Sequence, residues 1–202
     1  MGVVKLSTAG ITDFQKYSSL LAGNAAYSPG AFDLLETQVL ASSAASVTFS
    51  SLSSYAADYQ HLQIRVAART NRSSADLDNL GIRLNSDSAG NYSWHQFGGD
   101  GTVFSGAGTS TTFMLSGIVG AADQASTVFG GEVTDLLDAF ETSKYTTSRT
   151  FAGASTTGGK QVALRSGSWR NTAAVSQIDI ISITGSSFVT GSRFSLYGIK
   201  AA

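Results

Sequence analysis

From Ala31 onward the hydrophobic positions recur with a period of two. The run from His61 to Thr70 shows this most plainly. Leu62, Ile64, Val66 and Ala68 fall on one side of it, and Gln63, Arg65, Ala67 and Arg69 on the other. Successive side chains of a strand point to opposite faces, so this run reads as a strand with one buried face. Its other face meets water or a partner. The same reading predicts strands at 32–40, 46–52, 61–70, 80–84, 92–97, 111–119, 128–137, 145–152, 161–169, 177–184 and 193–200. The connectors at 85–91, 98–101, 153–159 and 186–187 are rich in Gly, Ser, Asn and Asp. A helical turn fits 55–59. About ten or eleven short strands broken by such turns indicate an all-β fold. An antiparallel β-sandwich of jelly-roll type is the architecture expected. No internal repeat and no alternation of helix with strand is present, which argues against an α/β fold.

Residues 1–30 follow a different pattern. Thr12-Asp13-Phe14-Gln15 has the form of a capping box, with Thr12 at the N-cap and Gln15 three residues on. Phe14, Tyr17 and Leu21 share one face of the helix it would open, and Ile11 stands just ahead of the cap. Gly23-Asn24 supplies a stop. A helix of about ten residues is too short to hold by itself in water, so its apolar face must dock. The surface it docks on is either its own domain or another subunit. Tyr27-Ser28-Pro29-Gly30 ends the segment as a turn around the only proline. The expected organisation is an attachment arm over 1–30, anchored by Ile11, Phe14, Tyr17 and Leu21, and a sandwich over 31–202.

Composition narrows the role. Hydrophobic residues make up 42 % of the 202 residues, which excludes extended disorder. Charged residues make up only 13 %, against about 25 % in an average domain. The surface is therefore mostly Ser, Thr, Asn, Gln and Gly, which suits a protein packed against neighbours better than a free monomer. The net charge of −1, with no Lys/Arg run, argues against nucleic acid and anionic membrane as partners. With no cysteine, thiol chemistry and Cys-ligated metals are excluded. No apolar run reaches the ~18 residues of a spanning helix, and the first residues lack the pattern of a secretion signal.

Candidate chemistry is sparse. His61 and His95 are the only histidines, and no metal-binding histidine spacing occurs. No G-x-S-x-G nucleophile motif is present. Gly98-Gly99-Asp100-Gly101 and Gly158-Gly159-Lys160 read as hairpin turns, since neither opens a helix. Asp76, Asp78 and Asp87 are either a polar surface or oxygen donors for Ca²⁺ from two loops. Asp135 and Asp138 are either a solvated face or a carboxylate pair. No catalytic site, metal or cofactor is expected. Tyr92, Trp94 and His95 have two readings: a platform for a carbohydrate, or core aromatics beside a structural histidine. Trp169 reads as core, closing one end of the sandwich.

Several segments carry a resemblance when taken in order. They are Tyr59-Gln60-His61-Leu62-Gln63-Ile64-Arg65, Ile82-Arg83-Leu84-Asn85 and Asn91-Tyr92-Ser93-Trp94-His95. Ser166-Gly167-Ser168-Trp169 and the closing Gly191-Ser192-Arg193-Phe194-Ser195-Leu196-Tyr197-Gly198-Ile199-Lys200 complete the set. Over about residues 32–200 this order resembles a family of tailed-bacteriophage virion proteins of minor structural, tail-fibre or head-decoration type. The stretch Lys5-Leu6-Ser7-Thr8-Ala9-Gly10-Ile11, with Leu21-Ala22-Gly23-Asn24, is similar to the N-termini of such proteins. The resemblance implies a β-sandwich without enzymatic activity on the virion surface, assembled in the host cytoplasm. It implies other capsid or tail proteins, and copies of itself in a homotrimer, as partners. The competing reading is a carbohydrate-binding module that contacts a host-surface glycan through Tyr92, Trp94 and His95.

Overall fold

The computed structural model describes residues 31–155 and 160–200. The expected arm helix, with Ile11, Phe14, Tyr17 and Leu21, lies outside these residues. The described residues form the strands β1 (Phe32–Val39), β2 (Ser46–Phe49), β3 (His61–Ala68), β4 (Leu77–Leu84), β5 (Tyr92–Gly99) and β6 (Val103–Thr111). These are followed by β7 (Met114–Gly120), β8 (Gly130–Leu137), β9 (Thr146–Ser155), β10 (Lys160–Trp169), β11 (Ile178–Ser182) and β12 (Arg193–Ile199). Eight strands make a large antiparallel sheet in the order β1-β12-β3-β8-β9-β10-β5-β6, and four make a small one in the order β2-β11-β4-β7. The sheets stack as a β-sandwich, with β7 lying over β8, β9 and β10.

The period-two pattern explains the core. Leu62, Ile64 and Ala68 of β3 are fully buried and meet Leu80, Ile82 and Leu84 of β4 and Ile178 and Ile180 of β11. Each such side chain contributes about 1.5–3 kcal/mol by leaving water. Phe188 and Phe194 lock edge to face at 4.9 Å within the same cluster. Arg69 departs from the expected outward face and is buried. Its guanidinium donates to the carbonyls of Ala122 (3.3 Å), Gln124 (2.8 Å) and Ala125 (3.1 Å), so its charge is held by three carbonyls where it lies.

Two other expectations shift. The strand expected at 46–52 stops at Phe49, and Leu52–Tyr55 forms a short 3₁₀ turn. The Tyr59 amide then donates to the Tyr55 carbonyl at 3.0 Å, which is the helical turn expected at 55–59. The strand β6 is an addition. Its sequence, Val-Phe-Ser-Gly-Ala-Gly-Thr-Ser-Thr, has the composition of a linker. It is strand because β5 covers its glycines. A Cβ on Gly108 would stand 2.6 Å from the Trp94 indole, and one on Gly106 would stand 3.1 Å from the Gln96 amide. In return, Phe104 of β6 lies over Gly98 of β5. Large side chains from one strand thus fill the gaps left by glycines on the other.

Candidate docking face

Strand β9 and the middle of β10 reverse the usual distribution of side chains. On β9 the inward positions are Thr146, Ser148, Thr150, Ala152 and Ala154, all buried, while Phe151 points outward. On β10 Ala163 is fully buried, and Val162 and Leu164 point outward. In this region small and polar residues face the partner sheet and Phe151, Val162 and Leu164 face away from it, while Leu136 of β8 and Trp169 at the end of β10 stay in the core. Part of this inward polar layer is hydrogen-bonded. Thr134 and Thr150 share one at 2.7 Å. Arg165 donates to the carbonyls of Ser116 (2.7 Å) and Gly117 (2.8 Å) and to the Asn79 side chain (2.6 Å). Those two carbonyls belong to a bulge in β7, where Asn79 pairs with Ile118 but Gly81 pairs with Leu115. Burial drives the Arg165 pKa down to about 10, against the attraction of Glu132.

The reversal leaves an apolar outer face on the large sheet. Val133, Phe151, Leu164 and Phe97 are paired in register across β8, β9, β10 and β5, so they form one continuous row. Their exposures are 38, 57, 56 and 57 %. The next row holds Gly131, Gly153, Val162, Gly99 and Val103, with Val162 50 % and Val103 70 % exposed. The row on the other side holds Asp135, Arg149, Ser166 and His95. Shallow hollows of about 520 and 560 Å³ flank the apolar row, the first walled by Phe97, Phe151, Arg149 and His95. Asp135 accepts from Gln63 at 2.8 Å. Towards β1, Phe32 stacks on Tyr197 at 4.8 Å, and the Arg65 guanidinium sits over both rings at 5.2 and 4.9 Å.

The residues of the expected glycan platform do not share a face. Tyr92 is fully buried in the core, and its hydroxyl accepts from the Leu84 amide at 2.9 Å. Trp94 is on the same side of β5, folded over Gly108. His95 alone points to the outer face, beside Ser166 and Arg149. Alternation along β5 sets His95 on the opposite side from Tyr92 and Trp94, because neighbours in a strand face opposite ways.

The carboxylates are likewise dispersed. Asp78 is fully buried and accepts from the hydroxyls of Thr70 (2.9 Å) and Ser182 (2.8 Å), from Thr184 (3.2 Å) and from the Asn79 amide (2.9 Å). Asp76 is engaged by Gln124. Asp87 binds Ala89, Asn91 and Trp169. Asp138 is paired with Lys144 and Gln60, apart from Asp135. Among the described residues no three His, Asp or Glu groups are placed to hold a metal. Replacing Asp78 with alanine is expected to cost about 2 kcal/mol, because the buried hydroxyls of Thr70 and Ser182 lose their acceptor. Urea unfolding of the variant measures this.

The row Val133–Phe151–Leu164–Phe97 was not singled out by the sequence pattern. The available signal was one of parity. Positions 146, 148, 150 and 152 are all small, while the bulky residues at 151, 162 and 164 fall on the opposite side. The sequence matches no protein-family model and no curated protein.

Proposed function

We propose that this chain is a non-enzymatic structural subunit of a bacteriophage virion, a surface fibre or capsid-decoration protein attached through its first 30 residues. The observation that carries this reading is the apolar outer face of the large sheet. Contiguous exposed apolar surface marks a face built for contact with another molecule. The low charge supports the same view, since a crowded assembly needs less charge-based solubility than a free protein. The resemblance over residues 32–200 supplies the virion setting, and with it other capsid or tail proteins and copies of this chain, as a homotrimer, as partners.

The sandwich is best read as a jelly roll. Support comes from the way the chain alternates between sheets. β2, β4, β7 and β11 fall in the small sheet in the order β2-β11-β4-β7, while β3, β5 and β6 fall in the large one. If β8, β9 and β10 are counted as one widened position, the large sheet repeats the four-strand pattern of the second jelly-roll sheet. β1 and β12 then extend its edge.

Attachment through the arm is tested by deleting residues 1–24 and mixing the remainder with particles that lack the protein. The truncated chain is expected to stay in the supernatant while the full chain sediments with the particles. Equal sedimentation of the two would remove the arm from the proposal. The number of copies per particle then separates the two placements. Hundreds would indicate capsid decoration, and a handful would indicate a fibre.

A further inference from the structure

We infer that copies of this chain pack on one another through the outer face of the eight-stranded sheet, with Val133, Phe151, Leu164 and Phe97 at the centre of the contact. This deepens the self-association in the proposed function and rests on that part of it alone. Three observations select a second copy as the occupant.

The first is the reversed alternation. Strands β9 and β10 place Thr146, Ser148, Thr150 and Ala163 inward and Phe151, Val162 and Leu164 outward. A sheet covered on both faces carries apolar residues on both, whereas a solvated face carries polar ones. Here Phe151, Val162 and Leu164 are on the outside, as they would be under a lasting partner, and only Trp169 at the end of β10 is a large apolar side chain turned inward. The second is charge. The only charged residues in the three central rows between β8 and β5 are Asp135 and Arg149, one of each sign and register partners of one another. Among the described residues Asp135 is held by Gln63, while Arg149 has no hydrogen-bond or ion-pair partner. A patch balanced in this way is complementary to itself, and Arg149 of one copy can meet Asp135 of the next. A strongly acidic or basic partner would find no matching field there. Arg65, Arg193 and Lys160 stand at the rim, where interfaces are polar and charges are solvated.

The third is size. Eight strands seven to ten residues long and about 4.8 Å apart present roughly 1,000 Å². That matches the ~800 Å² per partner of a standard stable interface.

The test is the mass of the full chain in solution at tens of micromolar, by light scattering, for the wild type and for Leu164→Glu. The wild type is expected to have the mass of two or three chains, and the variant that of one with unchanged far-ultraviolet circular dichroism. A monomeric wild type, or an oligomer unmoved by Leu164→Glu, overturns the inference. If Leu164→Glu does not fold, Ser166→Cys reads the same contact, because the chain has no other cysteine. A short bis-maleimide should join Ser166→Cys chains and leave Thr48→Cys chains, on the small sheet, single. The reverse result overturns the inference. So does a monomeric wild type that binds a glycan array through this face. Absence of the protein from virions would remove the phage setting and leave the interface standing.

Discussion

Replacing Trp169 with alanine is expected to lower the unfolding free energy by about 3–5 kcal/mol, read as a fall in the urea midpoint at constant slope. Trp169 ends β10, where it pairs with Tyr92 on one side and Thr146 on the other. It is 1 % exposed, and its ring is stacked on Tyr92 at 6.4 Å. Its indole N–H donates to Asp87 at 2.8 Å. Asp87 also accepts from the Asn91 side chain and the Ala89 amide, both at 2.9 Å. Partial burial would raise the Asp87 pKa, but the bonds from Trp169, Asn91 and Ala89 outweigh it and hold the pKa below the usual carboxylate value. The Tyr92 hydroxyl reaches the Asp87 carbonyl at 3.0 Å. Asp87, in the loop at 85–91, is therefore tied to the sandwich through one indole and one phenol. Alanine at 169 leaves a cavity under Tyr92 and removes a donor from Asp87. Phenylalanine fills most of the space and loses only the hydrogen bond, so Trp169→Phe should cost about 1–2 kcal/mol. Equal losses in the two variants would place the energy in the hydrogen bond and contradict the cavity account.

Trp169 also shows what the sequence made legible. Its place at the end of a strand followed from the run Arg165-Ser166-Gly167-Ser168-Trp169, and the core role expected for it matches its burial. The alternation in β3 likewise identified the core face directly, because one parity there is wholly apolar. Strand β6 stayed hidden for a physical reason. Gly106 and Gly108 carry no side chain to set a period, and what makes that segment a strand is supplied by Trp94 and Gln96 on β5. A contact between strands leaves no local trace. The docking face was hidden differently. In β9 the buried parity is Thr, Ser, Thr and Ala, so a reading that sends apolar residues inward looks for the core on the wrong side. Of the two readings of Tyr92, Trp94 and His95, the core role fits Tyr92, which is fully buried, while alternation sets His95 on the opposite side of β5 from Tyr92 and Trp94.

The stability of the chain should fall as pH rises from about 4.5 to about 7, and Glu132→Gln should abolish most of that fall. Glu132 lies on the inner face of β8 beneath β7 and is 4 % exposed. A Cβ on Gly117 would stand 2.0 Å from its carboxyl oxygen, so the carboxyl packs directly against Gly117 in the bulge. Neither carboxyl oxygen finds a hydrogen-bond partner in ordinary geometry. Burial raises its pKa from 4.5 to about 7, opposed in part by the Ser116 hydroxyl, the Arg165 charge and the Thr134 hydroxyl. Because the folded pKa is the higher one, between the two values the folded chain keeps a proton that the unfolded chain has released. Stability therefore decreases with pH through that window and levels off above it, by about 3 kcal/mol in total from this group. The lowered pKa values of Asp87 and Asp138 act with the opposite sign and below about pH 4, so they do not mask the window. Glutamine preserves the shape without an ionisable proton, although it gives up the attraction to Arg165. Urea midpoints for wild type and Glu132→Gln should coincide near pH 4.5 and diverge above it, with the variant more stable at pH 8. Parallel profiles across that range would mean that Glu132 ionises in the folded chain as readily as in water, and the buried polar layer beneath β7 would have to be hydrated.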